Sequence, residues 1–111
     1  MFGMNVKEID ANQLAQWVED DGHKLRVIDV RQMEEIMHGT VPKAEALPLH
    51  ILPAKVHELD KAEKLIMVCR SGARSAQACM FLQQQGFDNV FNLRGGMMGW
   101  VQSGFPAYRL A

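Results

Sequence analysis

The sequence predicts an α/β fold, a mostly parallel central sheet of about five strands with helices on both faces. Three observations carry this expectation. Apolar runs of strand length alternate with helix-like segments along the whole chain. The run "KLIMV" at 64–68 lacks a clean polar alternation, as expected of a strand buried on both faces of a parallel sheet. The 111 residues, 48% hydrophobic and 23% charged, fit one domain over residues 1–111 and leave little room for two cores.

The elements follow in order. Asp10 and Gln13 have capping-box spacing, and Ile9 and Leu14 stand where a hydrophobic staple packs, so a helix is expected from about Ala11 to Asp21, stopped by Gly22. "LRVIDV" (25–30) reads as a strand, and a short helix through Met33–His38 ends at Gly39. "EALPL" (45–49) is a second short extended piece, and Pro53 suits the N-terminus of a helix over Pro53–Leu59. The 64–68 strand is expected at the centre of the sheet. A helix over Ser75–Gln85 turns Ala78, Cys79 and Leu82 inward and closes at Gly86. "NVFNL" (89–93) is the next strand, and "GGMMGWVQSG" (95–104) a last turn and helix.

Charge is unevenly spread. Met1 to Leu65 carries 8 Lys/Arg against 12 Asp/Glu, whereas Ile66 to Ala111 carries 4 Arg against Asp88 alone. The basic half is either a chance surface distribution or an electropositive site for a small anion. No Lys/Arg run or aromatic ladder points to nucleic acid. No apolar run approaches the roughly 20 residues that a bilayer requires, and the N-terminus lacks a charged segment followed by an apolar one, so a cytoplasmic protein without membrane partners is expected. Cys69 and Cys79 form no C-x-x-C pair, and His23, His38, His50 and His57 show no ligand spacing. Neither a disulfide framework nor a metal site is supported.

The stretch "VCRSGARS" (68–75) carries the chemistry. If 64–68 is a strand and Ser75 begins a helix, Cys69–Arg74 is the turn at the carboxyl end of a central strand, where open α/β sheets bind ligands. Such a turn aims several backbone N–H groups inward, and the helix behind it adds unsatisfied amides and a positive dipole end. A thiol there is held below its usual pKa of about 8.5. An isolated cysteine ending a core strand is ordinarily packing filler. Two arginines, two serines and a glycine in the next six positions favour a nucleophile instead. Cys69 is thus the candidate nucleophile, Gly72 and Ala73 keep the rim small, Arg70 and Arg74 supply positive charge, and Ser71 and Ser75 can donate hydrogen bonds to an anion. Two reactions suit this cradle, attack on phosphate and attack on sulfane sulfur. The C-x4-R run is one residue shorter than the C-x5-R loop of cysteine-dependent phosphatases, and a persulfide adds one sulfur where a phosphoryl group must seat three oxygens. The short loop favours sulfur.

With these residues in view, the chain resembles the rhodanese family of sulfurtransferases. "DVRQMEEIMHGTVPKA" (29–44) is similar to a family signature that runs D-V-R, then E, then G-H-I-P-G-A, through Asp29, Val30, Arg31, Glu34, Gly39, Pro42 and Ala44. "CRSGARS" resembles the active loop of single-domain members, and "NLRGGMMGW" the closing L-x-G-G-(x)3-W. The resemblance implies a rhodanese-like fold and a sulfur-carrying Cys69 within a 69–74 cradle. It also implies a donor such as thiosulfate, a thiol or cyanide acceptor, and no metal or organic cofactor. Thr40 stands where the family usually has His, and Lys43 where it has a second Gly, which bears on hydrogen bonding and turn shape over 39–44. A persulfide carrier loaded by a protein partner is the alternative from another class. A phosphatase or arsenate reductase on the same fold is a third, disfavoured by loop length.

Other residues receive structural expectations. Arg31 is expected to form an ion pair with Glu34 or Glu35 that fixes the turn after the strand. Trp100 is expected in the core, Cys79 as a packed thiol rather than a resolving one, and Met97 and Met98 as gap-filling core.

Overall fold

A computed structural model of the chain describes residues 5–20 and 24–110. Five parallel strands form one sheet in the order β1-β5-β4-β2-β3. They are β1 (Glu8–Ile9), β2 (Leu25–Asp29), β3 (Ala44–Ala46), β4 (Lys64–Val68) and β5 (Val90–Leu93). The "KLIMV" run is the middle strand, as its composition predicts. Leu65 and Met67 pack into one layer of core with Ala78, Cys79 and Leu82, while Ile66 and Val68 pack into the other with Leu14, Leu93 and Trp100. A strand covered on both faces has no solvent side to carry polar residues. β1 is absent from the sequence expectation because two residues display no periodicity.

The helices are α1 (Ala11–Glu19), α2 (Met33–Ile36), α3 (Leu52–Lys55), α4 (Ala73–Gln84) and α5 (Gly96–Gln102), with a 3-10 turn over Val56–Glu58. Asp10 caps α1, its Oδ1 accepting from the Gln13 N–H at 2.8 Å. The expected helix end at Asp21 and Gly22 lies outside the described residues. The 33–38 and 53–59 helices are shorter than expected, the second dividing into α3 and the 3-10 turn. α4 begins two residues before Ser75, because Gly72 takes the left-handed conformation (φ +106°) that turns the chain directly from the loop into the helix. Cys69–Gly72 is thus the whole connection, and Ala73 and Arg74 belong to the first helical turn.

The 39–44 turn keeps its shape despite its side chains. Lys43 has φ +67°, the one described non-glycine residue with positive φ. Thr40 is fully buried, and its Oγ1 donates to Asp29 Oδ2 at 2.6 Å. A left-handed backbone costs a non-glycine residue about 1–2 kcal/mol. Lys43→Gly is therefore expected to stabilise the fold by about 0.5–1 kcal/mol, because glycine's extra freedom in the unfolded chain offsets part of the relief. Urea denaturation of the two proteins checks this, and an unchanged or lowered midpoint contradicts it.

Candidate active site

The carboxyl ends of β2, β4 and β5 meet at one edge of the sheet. Register places Asp29 beside Val68, and the Val30 N–H donates to the Val68 carbonyl at 2.9 Å. The chain then leaves β4 into the Cys69–Gly72 loop. Cys69 is fully buried, and its Sγ accepts from the Gly72 N–H at 3.1 Å and from the Ser75 hydroxyl at 3.3 Å. Burial pushes the thiol up. The Ser75 hydroxyl together with the N–H groups of Ser75, Gly72 and Ser71 outweighs that effect and holds it below the ordinary thiol value. Cys79, buried in α4, has no such donors. Burial, with a smaller contribution from Glu8, pushes its thiol up to about 12.

The loop is held from outside by α5. The Met97 N–H donates to the Cys69 carbonyl at 2.8 Å and the Met98 N–H to the Arg70 carbonyl at 3.0 Å. With its carbonyls drawn outward to these donors, the loop presents its N–H groups to the sulfur. Gly96 permits the approach: a Cβ there would lie 2.4 Å from the Cys69 oxygen and 2.5 Å from the Arg70 oxygen.

The two loop arginines differ. Arg74 is clamped by Glu35 of α2 through Nη1–Oε1 at 2.7 Å and Nη2–Oε2 at 2.9 Å. The Arg74 guanidinium holds the Glu35 carboxyl down to about 2, against the opposing effect of burial, so the pair stays ionised through neutral pH and is lost only as pH falls towards that value. Arg70 is exposed, and its side chain lines an open cavity of about 520 Å³ with Met97, Met98, Val101, His38 and Gln102. Arg31 and Glu35 complete the wall. Cys69 itself is not on the wall. Of the two arginines assigned to an anion from sequence, the geometry gives Arg74 a carboxylate partner and Arg70 the open cavity. Ser71 and Ala73 are exposed, and Gly72 and Ser75 are buried.

Arg31 forms a buried ion pair, but with Asp29 rather than Glu34 or Glu35. Nη2 reaches Asp29 Oδ2 at 2.7 Å and the Gly39 carbonyl at 2.7 Å. Residues two apart share one face of an extended chain, which sets the Arg31 guanidinium over the Asp29 carboxylate. The remaining expectations divide. Trp100 is core, its Nε1 donating to the Pro106 carbonyl at 2.9 Å. Met97 is core too, but Met98 is 46% exposed and forms part of the rim.

One residue that sequence reasoning passed over lies against the loop. Asn92, 2% exposed in β5, donates from Nδ2 to the Gly72 carbonyl at 3.1 Å and accepts from the Ser75 hydroxyl. The available signal was a carboxamide inside the apolar run "NVFNL", since a polar side chain in a buried strand needs partners.

A family model for the rhodanese-like domain matches residues 10–103. The chain belongs to the rhodanese-like family. A sulfurtransferase of Allochromatium vinosum is 44% identical over 101 residues, covering 91% of this chain and 94% of that one. The putative sulfurtransferase YtwF of Bacillus subtilis is 41% identical, with 87% and 92% covered. Among solved structures, a rhodanese-like domain protein from Staphylococcus aureus superposes with a TM-score of 0.82 at 29% identity, covering 93% of this chain and 99% of that one. Among the described residues no helix is long and apolar enough to cross a membrane.

Proposed function

We propose that this rhodanese-like chain is a sulfurtransferase in which Cys69 carries the transferred sulfur. The observation that carries the reading is the Cys69 thiol seated inside a ring of N–H and hydroxyl donors at the start of α4, with its pKa lowered. Such a thiolate attacks the outer sulfur of thiosulfate. A sulfur–sulfur bond forms to Cys69, the sulfur–sulfur bond of thiosulfate breaks, and sulfite leaves with the bonding pair. A thiolate acceptor or cyanide then attacks the outer sulfur of the persulfide, and the Cys69 thiolate departs. This is double displacement, with ping-pong kinetics as its signature. The ring of donors suits both anionic states of the site, the thiolate and the persulfide.

Cys69 has no exposed surface in the resting loop, so a donor reaches the sulfur only as the loop around it opens. Sulfur is favoured over phosphoryl transfer because Arg74, which a C-x4-R loop would offer to a phosphoryl group, is held by Glu35. The reading is tested by exposing the protein to thiosulfate and analysing the Cys69 peptide by mass spectrometry. One added sulfur, with one sulfite released per chain, is expected; an unmodified Cys69 under conditions that load a known thiosulfate sulfurtransferase overturns it.

Donor charge gives a second test. Arg70→Ala is expected to lower kcat/KM for thiosulfate about tenfold more than for an uncharged sulfur donor, because its guanidinium offsets the repulsion between a dianion and a thiolate. Arg74→Ala is expected to slow both donors alike, through loss of the Glu35 clamp. Equal losses for both donors in Arg70→Ala remove the steering role. A second reading, a carrier loaded by a protein partner, draws on the exposed Met98 and Val101 beside Arg70. Rapid loading by a partner protein with poor thiosulfate turnover selects it.

A further inference from the structure

Nothing in the sulfur chemistry above calls for Asn92, yet its bonding is fully determined. Its two amide protons go to Glu8 Oε2 at 2.9 Å and to the Gly72 carbonyl at 3.1 Å. Turning the carboxamide over would set its oxygen against both of those acceptors, so Oδ1 is fixed towards Ser75. The Ser75 hydroxyl oxygen therefore lies against two acceptors at once, Asn92 Oδ1 and, at 3.3 Å, Cys69 Sγ. It has one proton to give. Cys69 and Ser75 are fully buried and Asn92 nearly so, which leaves this hydroxyl a choice between two protein acceptors.

We propose that Asn92 is a positioning residue for Cys69, acting through a one-proton switch in the Ser75 hydroxyl. In the thiol state the hydroxyl donates to Asn92, and the Cys69 S–H donates to the serine oxygen. Ionisation releases the S–H proton to solvent, and the hydroxyl then turns its own proton from Asn92 to the sulfur anion. When Cys69 carries the transferred sulfur, charge moves to the outer atom, and the hydroxyl returns to Asn92. Asn92 thus competes with the thiolate for the donor, which keeps the thiol from ionising further and favours the loaded state once sulfur arrives. The proposal rests on Cys69 being the sulfur-carrying group.

The charged groups around the switch are few. From β1, Glu8 contacts the far side of Asn92; from α4, Arg74 acts on Cys69, with Glu35 of α2 on that guanidinium; and the Asp29–Arg31 pair stands at the end of β2. Arg70 lies at the exposed rim. None of them contacts the Ser75 hydroxyl, so replacing Asn92 by a neutral residue alters the hydrogen bond with little direct change in the field.

The test reads the ionisation of Cys69 by the ultraviolet absorbance of its thiolate as pH is raised, against Cys69→Ser as the blank. Cys79, pushed up to about 12, remains protonated meanwhile. Four proteins are compared: wild type, Ser75→Ala, Asn92→Ala and the double variant. Ser75→Ala is expected to raise the Cys69 pKa by about one unit through loss of a donor. Asn92→Ala is expected to lower it, because the hydroxyl is left with sulfur as its acceptor, and the double variant is expected to match Ser75→Ala. A rise or no change in Asn92→Ala overturns the switch, as does an equal shift with and without the Ser75 hydroxyl. Should Asn92→Ala fail to fold, Asn92→Asp serves: as a stronger acceptor it raises the Cys69 pKa more when Ser75 is present than when it is alanine, and equal rises, the mark of charge alone, overturn the proposal. Titration and sulfur loading fail separately. A Cys69 that follows the expected pKa pattern but takes no sulfur from thiosulfate sinks the transferase reading and leaves the switch standing.

Discussion

Cys69→Ser is expected to lower sulfur transfer by more than about a thousandfold while leaving the fold in place, since no other group can form the covalent intermediate. Serine is close in size to cysteine, and its oxygen still accepts from the Gly72 N–H while its proton goes to the Ser75 oxygen, so the loop keeps its internal partners. Its hydroxyl stays protonated near neutral pH, where the same donors hold the thiol below its usual value. The loss should therefore appear in turnover with thiosulfate and with any other sulfane donor, while the thermal midpoint moves by only a few degrees. Loading in the wild type should rise with pH as the thiol loses its proton, with a midpoint below that of a free thiol. A variant that keeps a substantial fraction of wild-type turnover would move the chemistry to another residue.

The place of Cys69 was legible because it depends on local order alone: an apolar run, a loop of small residues, then a helix. The central position of β4 was legible for the same reason, since a strand without polar alternation has to be covered twice. What could not be read were partners distant in sequence. Glu35 and Arg74 are 39 residues apart, and only the placing of α2 over the start of α4 brings them together. Charge in the loop therefore looked like two free cations when one of them is neutralised. Arg31 shows the converse limit, because its partner is two residues away and was still missed. Residues two apart share one face of an extended chain, so Arg31 lies over Asp29, a nearer partner than Glu34 or Glu35. Asn92 was hidden within a strand reading that weighed its apolar neighbours and not its own need for partners. Lys43 was visible as a departure from the family pattern, but its consequence was not, because only coordinates show that the backbone keeps the left-handed shape with lysine in place.

Gly96 carries the other large effect, and its role is invisible without the packing of α5 on the loop. Gly96→Ala is expected to destabilise the protein by about 3 kcal/mol, combining overpacking with the strain of a left-handed alanine. Its φ is +55°, and the added Cβ would lie 2.4 to 2.6 Å from the Cys69 oxygen and the Arg70 carbonyl group, all of them backbone atoms that cannot rotate away. Relief requires α5 and the loop to separate, which breaks the bonds from the Met97 and Met98 N–H groups to the Cys69 and Arg70 carbonyls. Freed carbonyls let the loop peptides turn, and the N–H groups around Sγ then lose their common aim. Activity is therefore expected to fall further than the fraction unfolded explains, with the Cys69 pKa rising. Gly104→Ala supplies the comparison, because Gly104 has φ +91° but nothing within 4 Å of an added Cβ, so it bears the backbone strain without the collision. Thermal denaturation and kcat/KM for thiosulfate, measured on both variants at a temperature where each is fully folded, separate the two contributions. If Gly96→Ala behaves like Gly104→Ala in both measurements, the contact between α5 and the loop does not hold the sulfur's donors in place.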